Sequence, residues 1–277
     1  MSALRERARS LRGLTVPATP PVLMYHFFGE PPATGDPERL FVGRDEFAAQ
    51  LADLRSRGWR PLDLDGYLAA VAGAPTPRRS FLLTIDDGHE SVVDVAAPML
   101  AEAGVPSVLF VCPALLGDRA RWSEHYPDEP LAGAERIAAL PAQGMELGVH
   151  GLDHTRLAAL GPEVLRAQTA DARSLLRTAT GVDARSFAYP FGTHDADSRR
   201  AVADAGFETA FAVAREAGPF GVDRVYVRRG DPLPLFRFKL TVGYRMVSRV
   251  AGRVPRLRGW VRSAIGAARG VLPGRSR

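Results

Sequence analysis

Cysteine is almost absent from this chain of 277 residues, in which Cys112 stands alone. A single cysteine cannot form a disulfide within the chain, so folding does not require an oxidising compartment. No run of about 18 consecutive apolar residues occurs, and no transmembrane helix is expected. Residues 1–20 also lack the apolar core that a signal peptide needs. The default expectation is therefore a cytoplasmic protein.

Acidic side chains are absent after Asp231, whereas 11 of the 36 Lys and Arg residues lie there. Subtracting those 11 leaves 25 basic residues against 31 acidic ones in the rest of the chain. The larger part is therefore mildly acidic and the C-terminal part is strongly basic, so the two are interpreted separately. No recognised nucleic-acid-binding module accompanies the basic residues, and no nucleic-acid partner is expected.

Short apolar runs alternate with helix-like segments from Pro21 to about Arg229. The run Ser80–Ile85 shows continuous rather than alternating hydrophobicity, which is typical of a strand buried on both faces of a parallel sheet. Strands that alternate with helices imply right-handed parallel crossovers, and about seven strand candidates favour a barrel over an open sheet. We therefore predict an α/β fold, a distorted (β/α) barrel with about seven parallel strands. The predicted segments are an N-terminal extension (1–20), the barrel domain (21–235) and a basic amphipathic helical tail (236–277).

Two adjacent carboxylates, Asp86 and Asp87, follow the run Ser80–Ile85 and precede Gly88. Neighbouring like charges are costly to hold together unless a positive group lies beside them. Since successive side chains on a strand point to opposite faces, one carboxylate can bind a metal ion while the other stays free as a base. The alternative is a helix N-cap with solvated acids before Ser91.

His150 and His154 have the i, i+4 spacing that brings two imidazoles to one side of a helix or tight turn. Two neutral imidazoles and one carboxylate are a usual ligand set for a catalytic Zn²⁺ ion that keeps one position open for water. The alternative is a pair of surface histidines. Asp153 lies between them as a further ligand or as a turn residue, and we favour the turn.

Three segments together resemble the ordered motifs of the polysaccharide deacetylase (NodB-type) family, carbohydrate esterase family four. They are Thr84-Ile-Asp-Asp-Gly88, His150-Gly-Leu-Asp-His154 and Phe187-Ala-Tyr-Pro-Phe-Gly192. The resemblance implies a metal-dependent hydrolase that removes the N-acetyl group from an N-acetylated carbohydrate: an oligosaccharide or polysaccharide, or a lipid-linked or nucleotide-linked sugar. It also implies a divalent metal, Zn²⁺ ahead of Co²⁺, Ni²⁺ or Mn²⁺.

The resemblance assigns roles by position. Asp86 corresponds to the general base, and the loop that contains Tyr189 and Pro190 corresponds to the wall of the acetyl-sugar pocket. The metal ligands implied are Asp87, His150 and His154.

The sequence departs from the family pattern at two places. Many members carry in the third motif an arginine that orients the base, where this chain has Ala188, and no histidine follows His194 to serve as the late general acid. The segment Pro21-Val-Leu-Met-Tyr-His26 resembles the start of a permuted branch that includes poly-N-acetylglucosamine deacetylases, which makes His26 the candidate acid. Its alternative is an ordinary core or surface histidine. Arg228 or Arg229 is the candidate replacement for the arginine, and the alternative is a solvated pair of charges.

The basic tail shows apolar residues and arginines on separate stripes over residues 245–265, which is typical of a helix lying on an anionic membrane surface. The alternative is a helix that caps the barrel. A membrane contact would place the protein peripherally at the inner face of the membrane. Two other functions compete with the deacetylase: a catalytically impaired carbohydrate-binding relative, and an amidohydrolase that acts on a non-sugar acetamide.

Overall fold

The structure, a computed structural model, describes residues 19–213 and 218–246. Its strands are β1 (Val22–Tyr25), β2 (Phe27–Phe28), β3 (Phe41–Val42), β4 (Arg60–Leu62), β5 (Ser80–Ile85), β6 (Ser107–Val111), β7 (Met145–Val149), β8 (Ser186–Ala188), β9 (Thr209–Ala212), β10 (Val222–Asp223) and β11 (Val225–Tyr226). Its α-helices are α1 (Arg44–Ser56), α2 (Leu64–Val71), α3 (Ala97–Ala103), α4 (Ala134–Ala138), α5 (Pro162–Arg166), α6 (Ala172–Thr180), α7 (Ala196–Asp204) and α8 (Leu233–Lys239).

The main sheet is parallel and nearly closed into a barrel. Its order runs β10, β9, β8, β7, β6, β5, β1, β11, with β4 added beside β5. At its two ends, Val222 pairs with Phe211 of β9 and Val225 pairs with Leu23 of β1. Only Arg224 separates β10 from β11, so the segment 222–226 acts as one closing strand. It pairs with β9 through β10 and with β1 through β11. The predicted α/β barrel is confirmed. Counting this segment once leaves seven strands in the linear order and β4 as an eighth, in the described part of the chain.

The strands present two different faces because side chains alternate along them. Inside the barrel, Val22, Leu82 and Phe110 belong to one buried cluster, which also contains residues of α2. Their neighbours Leu23 and Leu83 belong to the larger cluster that includes residues of the surrounding helices. Even-numbered positions of β1 and β5 therefore face the interior, and continuing this register carries His26 and Asp86 to the barrel mouth.

The first predicted loop, after β1, contains an unexpected small ladder. Phe27 pairs with Phe41 and Phe28 pairs with Val42, and both pairs are parallel. The rings of Phe27 and Phe41 pack with Tyr126, so the ladder contacts the long loop that follows β6. Runs of two residues carry no periodicity, which is why the sequence indicated only a loop.

The barrel packing continues past the expected boundary at residue 235. Helix α8 crosses that position, and Phe236 and Leu240 are buried. The predicted amphipathic stripes lie largely beyond residue 246, outside the described residues, as do residues 1–18 of the expected N-terminal extension. None of the helices in the described ranges is both long and apolar enough to cross a membrane.

Candidate active site and metal centre

The candidate site lies in the mouth of the barrel, at the C-terminal ends of three strands. His26 follows β1, Asp86 and Asp87 follow β5, and His150 follows β7. Active sites of (β/α) barrels lie at this end because the loops that leave the strands converge there. Asp86, Asp87 and His150 are all buried.

A left-handed turn separates the two aspartates. Asp87 has a φ of 76° and Gly88 has a φ of 76°, a region that side chains with a Cβ rarely adopt. A Cβ atom on Gly88 would lie 2.8 Å from Cγ1 of Val111, so a glycine is required on both conformational and steric grounds. The turn interrupts the strand alternation, and the carboxylate of Asp87 lies against His150 and His154 rather than among the helices.

Asp87, His150 and His154 form a cluster of potential metal ligands. Oδ1 of Asp87 lies 3.5 Å from Nε2 of His150 and 3.3 Å from Nε2 of His154, and the three ligand atoms lie within 4.8 Å of one another. Oδ1 of Asp87 is buried and accepts no hydrogen bond in the described structure. Because an unpartnered buried carboxylate oxygen is costly, the set fits a divalent cation that completes its bonding, and one carboxylate with two imidazoles suits Zn²⁺.

The two histidines are oriented by different means. Nδ1 of His150 lies 2.8 Å from the carbonyl oxygen of Ala188, so this nitrogen carries the proton and Nε2 is left free to bind a metal. Burial lowers the pKa of His150 to about 4, which keeps the ring neutral at pH 7. His154 has no partner for its buried Nδ1 among the described residues. Its ring instead stacks on Trp122, with 4.3 Å between the ring centroids and 15° between the planes.

Asp86 is bound by an arginine that the sequence did not indicate. Nη1 and Nη2 of Arg224 donate to its two carboxylate oxygens at 2.7 and 2.8 Å, and both side chains are almost fully buried. Burial alone raises the pKa of Asp86, but the charge of Arg224, together with His150 and His26, lowers the pKa below its usual value. Asp86 is therefore an ionised carboxylate, which a general base must be.

The expected base-orienting role of Arg228 or Arg229 is wrong in this structure. The guanidinium of Arg228 lies over the ring of Tyr226 at 4.4 Å, and Arg229 pairs with Glu30 at the surface. Arg224 lies between β10 and β11, which are too short for a sequence pattern to show where its side chain points, so it was overlooked. Its available signal is spacing, because residues 224, 226 and 228 share one side of an extended chain.

His26 lies at the mouth, where its ring stacks on Tyr226 at 5.1 Å and 19°. Its buried Nδ1 has no hydrogen-bond partner among the described residues. Burial lowers the pKa of His26, and the charges of Asp87 and Asp86 partly oppose that effect. Its role as the acid, and the permuted branch that suggested it, stay predictions.

The third motif contributes a different aromatic ring from the one expected. The side chain of Tyr189 is buried in the layer between barrel and helices, and its hydroxyl donates to the carbonyl of Phe220 at 3.0 Å, so it does not line the pocket. Pro190 packs against Gly151, at the start of the loop that carries His154. Phe191, which is 50% exposed, presents its ring edge-on to His154 at 4.6 Å.

Trp122 was also missed, because its loop has no periodic pattern. The loop is held to the strand end that carries Asp87, since Nε2 of His89 contacts Glu129 at 2.9 Å and Nδ1 contacts Ser91. The hydroxyl of Tyr126 donates to Asp36 at 2.6 Å. These bonds place the indole ring beside the metal-ligand cluster.

Known proteins that are similar to this chain in sequence or structure include several deacetylases. Residues 73–210 match the family model described as polysaccharide deacetylase. YxkH of Bacillus subtilis (strain 168), provisionally named a polysaccharide deacetylase, is 23% identical over 220 residues, which are 77% of this chain and 73% of YxkH.

Solved structures share the fold. Deacetylase PplD of Streptococcus pyogenes, solved in complex with acetate, matches with a TM-score of 0.68 at 19% identity, over 81% of this chain and 99% of PplD. IcaB from Ammonifex degensii matches with a TM-score of 0.65 at 24% identity, over 80% of this chain and 97% of IcaB. The three motifs occur in order and the barrel gathers them, and residues 73–210 of this chain are those that match the polysaccharide deacetylase family.

Proposed function

We propose that this protein is a metal-dependent hydrolase that removes the N-acetyl group from an N-acetylated sugar. The observation that carries the proposal is the separation of two neighbouring carboxylates. Asp86 is paired with Arg224, whereas Oδ1 of Asp87 lacks a hydrogen bond and faces two imidazole nitrogens. This difference supports a base role for Asp86 and a metal-ligand role for Asp87.

Asp87, His150 and His154 would hold the divalent metal, with Zn²⁺ favoured over Co²⁺, Ni²⁺ or Mn²⁺. When bound, such an ion lowers the pKa of a coordinated water toward about 7 and polarises the acetyl carbonyl. The ionised Asp86 takes a proton as water attacks the acetamide carbon, and Arg224 fixes the direction of its carboxylate.

The departing nitrogen needs a proton, because an amide anion is a very poor leaving group. His26, which directly follows β1, is the candidate acid, and its stacking on Tyr226 holds the ring in place. In the turn at Pro190–Gly192, proline has no N–H and the N–H of Gly192 donates to the carbonyl of Tyr189. The N–H of Phe191 is therefore the candidate to stabilise the tetrahedral oxyanion, a contribution often worth about 3–4 kcal/mol per donor.

The test is acetate release from N-acetylglucosamine oligomers by metal-stripped protein before and after Zn²⁺ or Co²⁺ is added. We expect metal-dependent release, and an Asp86→Asn protein that still binds metal but has lost turnover. An active Asp86→Asn protein would refute the assignment of the base. Bound metal without release from any N-acetyl sugar would favour the two competing functions, a sugar-binding relative or a hydrolase of non-sugar amides.

We propose separately that the basic C-terminal region contacts an anionic membrane surface. Support comes from the 11 basic and no acidic residues after Asp231 and from the position of Arg245, which donates to the carbonyl of Thr19 near the N-terminal end of β1. Arg245, close to the last described residue, therefore lies at the end of the barrel opposite the site. Co-sedimentation with vesicles rich in phosphatidylserine should be lost in a 1–246 protein, and equal binding by both proteins would contradict the proposal.

A further inference from the structure

Arg228 occupies a position that the proposed reaction leaves unexplained. Residues 224, 226 and 228 lie on one side of the closing strand, because side chains alternate along an extended chain. Arg224 contacts Asp86, Tyr226 stacks on His26, and the guanidinium of Arg228 lies over the ring of Tyr226. The three side chains thus form successive layers that lead from the base outward to the rim of the mouth.

The side chain of Arg228 has a hydrogen-bond donor without a partner among the described residues. Among the described residues it forms no ion pair and no side-chain hydrogen bond, and its Nε is buried without a partner. The neighbouring arginines differ, since Arg229 pairs with Glu30 and Arg39 pairs with Asp231. A buried N–H without an acceptor is costly, so the side chain of Arg228 keeps an unsatisfied donor among the described residues.

The loop that carries Arg228 is firmly held. Its backbone N–H donates to Asp231, which is in turn paired with the buried Lys239. The N–H of Gly230 donates to Glu46 at 3.0 Å. These bonds fix the backbone on both sides of Arg228. Ligand binding therefore costs little further conformational entropy in this loop.

We propose that Arg228 binds an anionic group of the substrate, a phosphate or a carboxylate, next to the reacting acetamide. A planar guanidinium presents paired donors that match both anions, and it keeps its charge at every physiological pH. The inference rests on the proposed deacetylase function and narrows its substrate class to acidic N-acetylated sugars. The anion can be a sugar phosphate, as in nucleotide-linked or lipid-linked sugars, or a carboxylate on the sugar itself.

The experiment compares three substrates that share an acetamide: neutral N,N′-diacetylchitobiose, N-acetylglucosamine 1-phosphate and N-acetylmuramic acid. The Zn²⁺-loaded protein should prefer at least one anionic substrate in kcat/KM. Arg228→Gln should lower that value by about 10- to 100-fold, the range for a lost hydrogen bond between charged groups, and change the value for the neutral substrate by less than about 3-fold. Whichever anionic substrate shows the loss identifies phosphate or carboxylate as the group recognised.

Arg229→Gln is the matched control, because Arg229 is the adjacent arginine and pairs with Glu30 at the surface; its preference should equal that of the parent. Arg228→Lys should recover only part of the preference, since a lysine supplies the charge without the planar fork. An equal loss on neutral and anionic substrates in Arg228→Gln would overturn the proposal and leave Arg228 as support for Tyr226. A preference for the neutral substrate in the parent would overturn it as well.

A binding measurement separates this inference from the proposed function. Calorimetric titration of metal-free Asp86→Asn protein with N-acetylglucosamine 1-phosphate should show binding that weakens with added salt and falls about 10-fold or more in the Asp86→Asn, Arg228→Gln protein. That result would support the anion site even if no substrate were hydrolysed. Equal affinity in the two proteins would refute the anion site while leaving the deacetylase proposal untouched.

Discussion

Replacing Arg224 by methionine should destabilise the protein strongly, because it leaves Asp86 as a buried carboxylate without its partner. The two side chains share hydrogen bonds of 2.7 and 2.8 Å and are 1% and 3% exposed. Breaking a buried pair from one side typically costs about 3–5 kcal/mol, which is a large part of the about 5–15 kcal/mol that stabilises a domain. The same change should abolish acetate release, since it also removes the group that holds the pKa of Asp86 low.

The source of the loss can be isolated with a double-mutant cycle. If the uncompensated charge is responsible, adding Asp86→Asn to Arg224→Met should restore about 2–4 kcal/mol, since a neutral amide is far cheaper to bury. Urea unfolding of metal-free proteins in EDTA measures the four free energies without a contribution from bound metal. Additive effects of the two substitutions would refute the explanation. Arg237→Met is a control, because Arg237 pairs with Asp53 but is 38% exposed, and its loss should be smaller.

The free energy of unfolding should depend on pH differently in the parent and in Arg224→Met. In the parent the pKa of Asp86 is depressed, so the ionised carboxylate stabilises the fold above its unfolded pKa of about 3.9, and this contribution is lost as pH falls through the folded pKa. In Arg224→Met the effect of burial dominates and raises the pKa of Asp86. Proton uptake then relieves the penalty, so the stability difference between the two proteins should narrow as pH falls from 8 toward 5. A constant difference would contradict a charge-based penalty.

Three further substitutions test other contacts. Trp122→Ala should weaken Zn²⁺ binding by about 10-fold in chelator competition, with an unchanged circular dichroism spectrum, because the stacked ring orients His154. Asp195→Ala removes the side chain that caps α7 and should cost about 1 kcal/mol at pH 7 in urea unfolding. Because backbone hydrogen bonds lower the pKa of Asp195 to about 2, this loss should shrink below pH 3.8. Gly148→Ala places a methyl group 2.4 Å from the ring of Phe110 inside the barrel and should lower the urea midpoint by an amount equivalent to about 1–3 kcal/mol.

Long apolar runs made most of the barrel predictable. The run at Ser80–Ile85 is β5, because a strand covered on both faces has no solvent side and leaves a continuous pattern. The closing strand at 222–226 has no continuous apolar run that would indicate it from the sequence. Val222–Asp223 and Val225–Tyr226 are two residues each, too short for any period. The second of them pairs with β1, which is far away in the sequence. Arg224 was missed for the same reason.

Strand alternation explains only part of the difference between Asp86 and Asp87. Alternation predicted different roles for Asp86 and Asp87, and the structure gives them different partners. Alternation alone, however, would direct Asp87 toward the helices, away from His150 and His154. The left-handed backbone at Asp87, allowed by the tight turn at Gly88, returns the second carboxylate to the mouth. Two adjacent aspartates therefore meet two electrostatic environments, one supplied by a distant arginine and the other by two imidazoles, and this difference is consistent with the proposed base and ligand roles.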